Sequence, residues 1–294
     1  MGLETTLVLC RFVHNASTMF LWGAFAYLAL LVPKPLALEI GERLRPASVI
    51  AVFLAIGTIF AALPLQAGMI GQGWSDAVDL GTIRDVLFET SVGRGWAIQV
   101  AAALLLLPAL ALSPRRAHIA LAMASGLLLA SLAFSGHATM RESWIGAAHR
   151  FNDMVHVLSG GAWIGALIPV MLILGRLRQA EWRVAAQTAL MRFSSVGHAA
   201  VALVIASGVV NTTLVLRRLP ADWTSPYQAL LALKITLVVV LTGLALINRY
   251  VFVPRMRTSE AGSMRAIRLG TLTEIALGIV VLGLVAWFGM LEPV

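Results

Sequence analysis

Apolar residues are concentrated in eight stretches of this chain, each about as long as a helix that crosses a bilayer. Such a helix needs about 20 apolar residues to cross a hydrocarbon core of roughly 30 Å, where only helices or closed barrels satisfy their own backbone. We therefore expect an all-α bundle of eight transmembrane helices forming a single domain over residues 1–294. The runs cover residues 7–32, 47–70, 94–112, 117–136, 152–175, 193–216, 227–252 and 268–290. Four prolines stand at or near run ends, where helices commonly begin or end: Pro33, Pro46, Pro114 and Pro226.

The composition agrees with a polytopic membrane protein. Of 294 residues, 59% are hydrophobic and only 12% are charged, whereas a soluble domain has about 25% charged residues. The net charge is +8, but the arginines are scattered through short loops rather than gathered in a basic groove. This distribution excludes nucleic acid as a partner and leaves membrane lipid. No positively charged segment precedes the first run, so we expect a retained span rather than a signal peptide.

The distribution of Lys and Arg predicts the orientation of the bundle. The connections after the first, third, fifth and seventh runs, with their flanks, hold 14 Lys and Arg residues, while the opposite face holds six. Positive loops remain in the cytoplasm, so both termini are expected on the outer side. The longest outer loop, residues 71–93, is acidic and would attract cations; its acidic residues are Asp76, Asp79, Asp85 and Glu89.

Two short matches relate the halves of the chain. The first run contains FVH ending at His14 and then WGA, and the fifth contains MVH ending at His156 and then WIGA. Thr-Ser precedes both the third and the seventh run. An offset of four spans preserves direction, so the matches would make a parallel repeat of four plus four helices, although chance could produce either alone. The halves would be residues 1–136 and 137–294.

Ionisable side chains cluster in the outer half of the predicted bundle. With the outer termini assigned above, His14, His137, His149 and His156 all lie on one side of the membrane. Such residues are costly in hydrocarbon and are usually retained for ion, proton or cofactor chemistry. His149, Asp153 and His156 share one helix face if the fifth helix begins by residue 149.

Nitrogen, oxygen and thioether groups on one side of a bundle are ligands that copper can use. Two histidines and a carboxylate on one stripe would also serve Fe(II) or Zn(II), so spacing alone does not select the metal. Packing and interfacial snorkelling are the structural alternatives for each residue. The candidate ligands are His14, His137, His149, His156, Asp153 and Met69, with Arg11, Met140, Asn211 and Lys234 as supporting residues.

At these residues the sequence resembles a known family. SGHA at 135–138, NDMVH at 152–156 and GAWIGALIP at 161–169 resemble the copper resistance protein D (CopD) family of bacterial inner-membrane proteins. Further matches are Arg11 with His14, LPLQAGM at 63–69, RFSSVG at 192–197, SGVVN at 207–211, the stretch 227–234 and the Asn248-Arg249 pair. In the third span, where a basic residue analogous to Lys234 is expected, the chain has Gln99.

The resemblance implies copper movement across the inner membrane, often with a small periplasmic copper-binding partner of the CopC type. We then expect a permease-like protein, not an enzyme, with both termini in the periplasm. Copper taken up from the periplasm would be captured by His137, His149 and Asp153 and passed to His14 and His156. Met69 would be a soft ligand on this path, and the histidines are predicted to converge on a shared pocket.

Two alternatives remain at this stage. A b-type haem oxidoreductase or electron-transfer protein could use axial ligands among His14, His137 and His156. A copper sensor or docking subunit could bind the metal outside without moving it. A haem absorption band would indicate the first, and the absence of copper flux would indicate the second.

Overall fold

The structure is a computed structural model that describes residues 1–134, 144–216, 222–255 and 260–291. All regular secondary structure in these ranges is helical, which confirms the all-α prediction there. The helices are α1 (Leu3–Leu30), α2 (Lys34–Ile70), α3 (Trp74–Val78), α4 (Leu80–Glu89), α5 (Ser91–Leu104), α6 (Leu106–Ala109), α7 (Pro114–Ser131), α8 (Trp144–Ile164), α9 (Leu167–Arg176), α10 (Arg183–Leu216), α11 (Pro226–Ile247), α12 (Val253–Arg255) and α13 (Glu260–Phe288). A 3₁₀ turn, Leu132–Phe134, follows α7, and a π-helix, Asn248–Phe252, lies between α11 and α12.

Seven helical segments within the described residues are long and apolar enough to cross a membrane. They are Lys34–Ile70, Ser91–Ala109, Pro114–Phe134, Trp144–Arg176, Arg183–Leu216, Pro226–Arg255 and Ala261–Phe288. Each contains most or all of one predicted run. The first predicted run lies in α1, which has 28 residues but is not among the seven. Its apolar sequence is interrupted by Arg11, His14 and Asn15.

Three of the four prolines stand where helices begin. Pro33 is the N-cap of α2, Pro114 opens α7 and Pro226 opens α11, in agreement with the prediction. The expectation for Pro46 is wrong, because this residue lies inside α2. Proline removes one backbone donor from the helix, but Pro46 and Glu42 are both exposed. The carbonyl left without a helical partner can therefore be solvated, and α2 continues.

Helix α1 occupies the centre of the bundle. It packs against α2, α7, α8 and α13, and its apolar side chains contribute to the main core. Phe25, Leu21 and Leu28 are fully buried there. The polar residues His14, Ser17 and Thr18 of α1 are also buried, which explains how a helix with an interrupted apolar sequence packs among seven apolar segments.

Glycine lets the backbones of α1 and α8 touch where they cross. A Cβ placed on Gly23 of α1 would collide with the carbonyl oxygen of Gly161 in α8. A Cβ placed on Gly165, directly after α8, would collide with the carbonyl oxygen of Met19 in α1. Gly23 and Gly165 are 142 positions apart, as are Met19 and Gly161. The crossing is thus built from two contacts that are reciprocal in sequence.

An ion pair joins α2 to α9 at the end of the bundle away from the N-terminus. Arg176, which is buried, donates from Nε to Oε2 of Glu39 at 3.2 Å, and its Nη2 contacts Oε1. Gln179 accepts from Nη1 of the same arginine at 2.8 Å. Paired hydrogen bonds of this kind fix geometry as well as charge, so they hold α2 and α9 in register.

Replacing Gly165 with alanine should destabilise the bundle, because the added methyl group collides with backbone rather than with a flexible side chain. Overpacking costs about 1–3 kcal/mol, and thermal unfolding in detergent measures the loss. Gly175→Ala is the matched control, since a Cβ there meets nothing within 4 Å and alanine favours the helix. Equal unfolding midpoints for the two variants would contradict the close crossing.

Candidate metal site

His14 lies between α1 and α2 and is held by a threonine hydroxyl. Its Nδ1 is 3.1 Å from Oγ1 of Thr58, whose own proton points to the carbonyls of Leu54 and Ala55 at 2.7 and 3.0 Å. With the single hydroxyl proton directed to these carbonyls, the oxygen accepts from His14, and on this basis we assign the imidazole proton to Nδ1. Nε2 then carries a lone pair. This atom is buried without a hydrogen-bond partner among the described residues.

Cys10 also contacts Thr58. Its thiol donates to the carbonyl oxygen of Thr58 at 3.2 Å, so Cys10 and His14, four residues apart on one helix face, both contact one residue of α2. Cys10 and Thr58 also line a shallow, mostly apolar groove of about 350 Å³ between α1 and α2. The sequence does not identify Thr58 as a functional residue, because a lone threonine in an apolar run carries no recognisable signal.

His156 is held in the same manner between α8 and α10. Its Nδ1 lies 2.9 Å from Oγ of Ser207 and 3.2 Å from the carbonyl oxygen of Val204. The serine proton is directed to the carbonyls of its own helix, so the serine oxygen accepts and the imidazole proton again lies on Nδ1. Gly208 leaves room for the ring, since a Cβ there would lie 3.3 Å from its Cε1.

An amide pair connects α8 to α10 beside His156. Asn152 donates to the carbonyl oxygen of Ser207 at 2.9 Å and to Oδ1 of Asn211 at 2.6 Å. Asn211 in turn donates to Oδ1 of Asp153 at 2.7 Å. Lys234 and Tyr227 of α11 lie within electrostatic range of the Asp153 carboxylate. Asn211 therefore orients Asp153, a candidate ligand, through its side-chain amide.

The two intramembrane cations both lie against the end of α13. Arg11 donates from Nη1 to the carbonyl oxygen of Gly289 at 3.3 Å, and the ammonium of Lys234 is 5.9 Å from the centre of the Phe288 ring. A helix C-terminus carries partial negative charge and free carbonyls, and an aromatic face also attracts a cation. These contacts supply part of the compensation that buried positive charge requires.

The remaining candidates lie apart from these contacts. Helix α8 begins at Trp144, so His149, Asp153 and His156 do share one helix face, and His149 is 9% exposed. Met69, near the end of α2, is 42% exposed. His137 and Met140 lie outside the described residues.

The described residues do not form one common pocket for the metal. Among them, no group of three His, Cys, Asp or Glu side chains is arranged to hold a metal ion. His14 contacts α2 and His156 contacts α10, so the structure places the two rings at different helix interfaces. The expected convergence is not seen, and each interface presents one imidazole.

The acidic loop is partly folded by its own carboxylates. Asp79 caps α4, and the backbone N–H and hydroxyl of Thr82 hold the pKa of this carboxyl below its usual range. The stabilising contribution of the Asp79 carboxylate to folding is therefore present above the unfolded-state pKa and is lost as the pH falls through the folded-state pKa.

The other acidic residues of this loop differ in their contacts. Asp76 accepts from the backbone N–H of Gln72, whereas Asp85 and Glu89 are exposed and remain available to attract cations.

Removing the Asn211 amide should loosen the contact between α8 and α10. Asn211→Ala leaves Asn152 and Asp153 each without one partner, and a polar contact between membrane helices contributes about 1 kcal/mol. The expected result is a lower thermal-unfolding midpoint in detergent. Thr213→Val is the control, because Thr213 is exposed and bonds only within its own helix. A midpoint equal to that of the control would contradict the role of this amide.

Two family models match separate parts of the chain. Residues 2–147 match the model described as copper resistance protein D-like, N-terminal domain, and residues 187–288 match the model described as copper resistance protein D. His14 and Thr58 lie in the first matched range and Ser207 in the second, while His156 lies between the two.

Three relatives extend this result. The chain is 35% identical over 291 residues, covering 99% of both chains, to the inner membrane protein YebZ of Escherichia coli (strain K12). It is 30% identical over 262 residues to copper resistance protein D of Pseudomonas syringae pv. tomato, covering 85% of this chain and 83% of the relative. It is 30% identical over 287 residues to the copper transport protein CutJ of Bacillus subtilis (strain 168), covering 92% of this chain but only 49% of that relative. No solved structure matches.

Proposed function

The chain belongs to the copper resistance protein D family, and we propose that it moves copper from the periplasm across the bacterial inner membrane. Copper is the transported substrate, and the protein performs no covalent chemistry on it. The proposed path uses the outer-half residues His137, His149 and Asp153 for capture and then His14 and His156 deeper in the bundle, with Met69 as a soft ligand. Arg11, Met140, Asn211 and Lys234 are the supporting residues.

The observation that carries this proposal is the buried Nε2 of His14. Buried polar atoms are nearly always paired, and an exception calls for an explanation such as an ion. Two other buried side-chain atoms, Oη of Tyr27 and Nε2 of Gln228, also lack a partner among the described residues. Of the three, only the imidazole nitrogen is a common ligand of copper.

The nature of the ligands suits transport rather than storage. Imidazole and thioether groups bind copper but release it more readily than a closed cage of four thiolates, and the chain has a single cysteine. Exposed Asp85 and Glu89 of the acidic loop would raise the local cation concentration at the outer mouth. A soluble periplasmic copper-binding protein of the CopC type is the partner that we propose delivers copper there.

The proposed topology has eight spans with both termini in the periplasm. Helix α1 counts as the eighth span because its 28 residues extend about 42 Å at 1.5 Å per residue and lie among the seven apolar segments. The bias of 14 positive residues against six sets the orientation. We also propose that the spans form a parallel repeat of four plus four helices, with halves at 1–136 and 137–294.

Copper flux into proteoliposomes tests the function. We expect His14→Ala and His156→Ala each to reduce the flux by about tenfold or more, the order of loss typical when a metal site is disturbed. His198→Ala is the control, because both ring nitrogens of His198 already contact Ser194 and Tyr250. Its flux should match that of the unmodified protein.

Other outcomes of this experiment would overturn the proposal. Equal flux in all variants would exclude the histidine path, and copper binding without flux would indicate a sensor or docking subunit instead. A haem absorption band in the purified protein, together with no bound copper after copper loading, would favour electron transfer by haem.

A further inference from the structure

We propose that His14 and His156 are equivalent residues of an internal two-fold repeat, each held by a hydroxyl so that Nε2 is the atom presented to copper. Thr58 positions His14, and Ser207 positions His156. The inference rests on the proposed function for the identity of the ligand. The arrangement of the two rings, however, can be tested without any metal.

The first support is the reciprocal crossing of α1 and α8. His14 and His156 are 142 positions apart, the same separation as Gly23 from Gly165 and Met19 from Gly161. Gly23 approaches Gly161, and Gly165 approaches Met19, so exchanging the two halves turns one contact into the other. This is the pattern of an isologous interface, in which the same surface is used twice. The equal separation places both histidines at the same distance from the crossing along their helices.

The second support is the repeated set of hydrogen bonds beyond the crossing. Thr58 and Ser207 are 149 positions apart, as are Ala55 and Val204. The carbonyl oxygen of Val204 accompanies the serine hydroxyl at Nδ1 of His156, and the backbone of Ala55 hydrogen-bonds to His14. Each hydroxyl is directed to the carbonyls three and four residues earlier in its own helix.

The carbonyl groups of these two residues are also used alike. The carbonyl oxygen of Thr58 accepts from Cys10, and that of Ser207 accepts from Asn152. Cys10 and Asn152 are themselves 142 positions apart. The same position in each half therefore makes the same contact with a different side chain, which a chance placement of two histidines would not produce.

The chemical consequence concerns the tautomer. The hydrogen bond at one ring nitrogen decides which nitrogen is left to bind a metal, and metal-binding histidines usually donate their other N–H to such a partner. At His156 a hydroxyl oxygen and a carbonyl oxygen both accept at Nδ1, and at His14 a hydroxyl oxygen accepts there, which keeps each proton on Nδ1. Nε2 is then unprotonated and carries its lone pair before any copper arrives.

Nitrogen-15 NMR of histidine-labelled protein in bilayers tests the arrangement directly. In copper-free protein, His14 and His156 should be protonated on Nδ1 and unprotonated on Nε2. The His14→Gln and His156→Gln variants assign the resonances of the two residues. Diamagnetic Cu(I) should then shift the Nε2 resonances of both residues and leave their Nδ1 resonances protonated. His198 is the internal control and should not respond, because both of its nitrogens are already engaged.

The hydroxyl variants test the positioning role. Thr58→Val should weaken Cu(I) binding at His14 by about tenfold in a competition titration, leave the His156 resonances unchanged and be rescued by Thr58→Ser. Ser207→Ala should weaken Cu(I) binding at His156 and leave the His14 resonances unchanged, and Ser207→Thr should restore the binding. Thr213→Val, on the exposed face of α10, should change neither site.

The outcomes separate this inference from the proposed function. A proton on Nε2 of either histidine in copper-free protein overturns the inference, as does copper flux without any Cu(I)-induced shift at these two residues. Loss of Cu(I) binding at His14 in both Thr58→Val and Thr58→Ser would overturn the role of the hydroxyl. The stated tautomers with neither copper binding nor flux would overturn the proposed function and leave the positioning by Thr58 and Ser207 supported.

Discussion

A polar group inside an apolar helix bundle must find its partner within the protein, because lipid offers none. The hydroxyl groups of this interior meet that requirement at carbonyls of their own helix, whereas several other polar side chains use backbone carbonyls of neighbouring helices. The indole of Trp22 donates to the carbonyl oxygen of Leu158, and that of Trp96 donates to Ile59, both at 2.8 Å. The thiol of Cys10 and the amide of Asn152 do the same. Against this background, three buried side-chain atoms lack a partner among the described residues, and Nε2 of His14 is the only imidazole nitrogen among them.

The crossing of α1 and α8 determines where these groups meet. Because Gly23, Gly161 and Gly165 let the two backbones touch, α2 and α10 pack on separate sides of a central pair, and each receives one histidine from it. A larger residue at Gly23 or Gly165 would collide with the backbone of the facing helix. The packing around both imidazoles thus includes glycines that offer no side-chain ligand.

Copper transport needs ligands that hold the ion without trapping it. An imidazole that is already oriented, with its proton on Nδ1, loses little conformational freedom when Nε2 binds copper. The same imidazole is neutral again when the copper ion dissociates. Two such rings at different helix interfaces would provide successive binding positions rather than one deep cage. This agrees with a family whose named relatives include a copper resistance protein and a copper transport protein.

By itself the sequence determined the all-α class, the family and seven of the spans. It also determined that helices begin at three of the prolines and that His149, Asp153 and His156 share one face of a helix. Hydropathy and helical period are local properties, so they can be read without knowing the neighbours of a helix. The tertiary structure alone decided that α2 passes through Pro46, that Thr58 and Ser207 hold the two imidazoles, and that His14 and His156 lie at different interfaces. Those features depend on the register between helices, which arises where small residues allow two backbones to approach, and no single run of residues encodes that register.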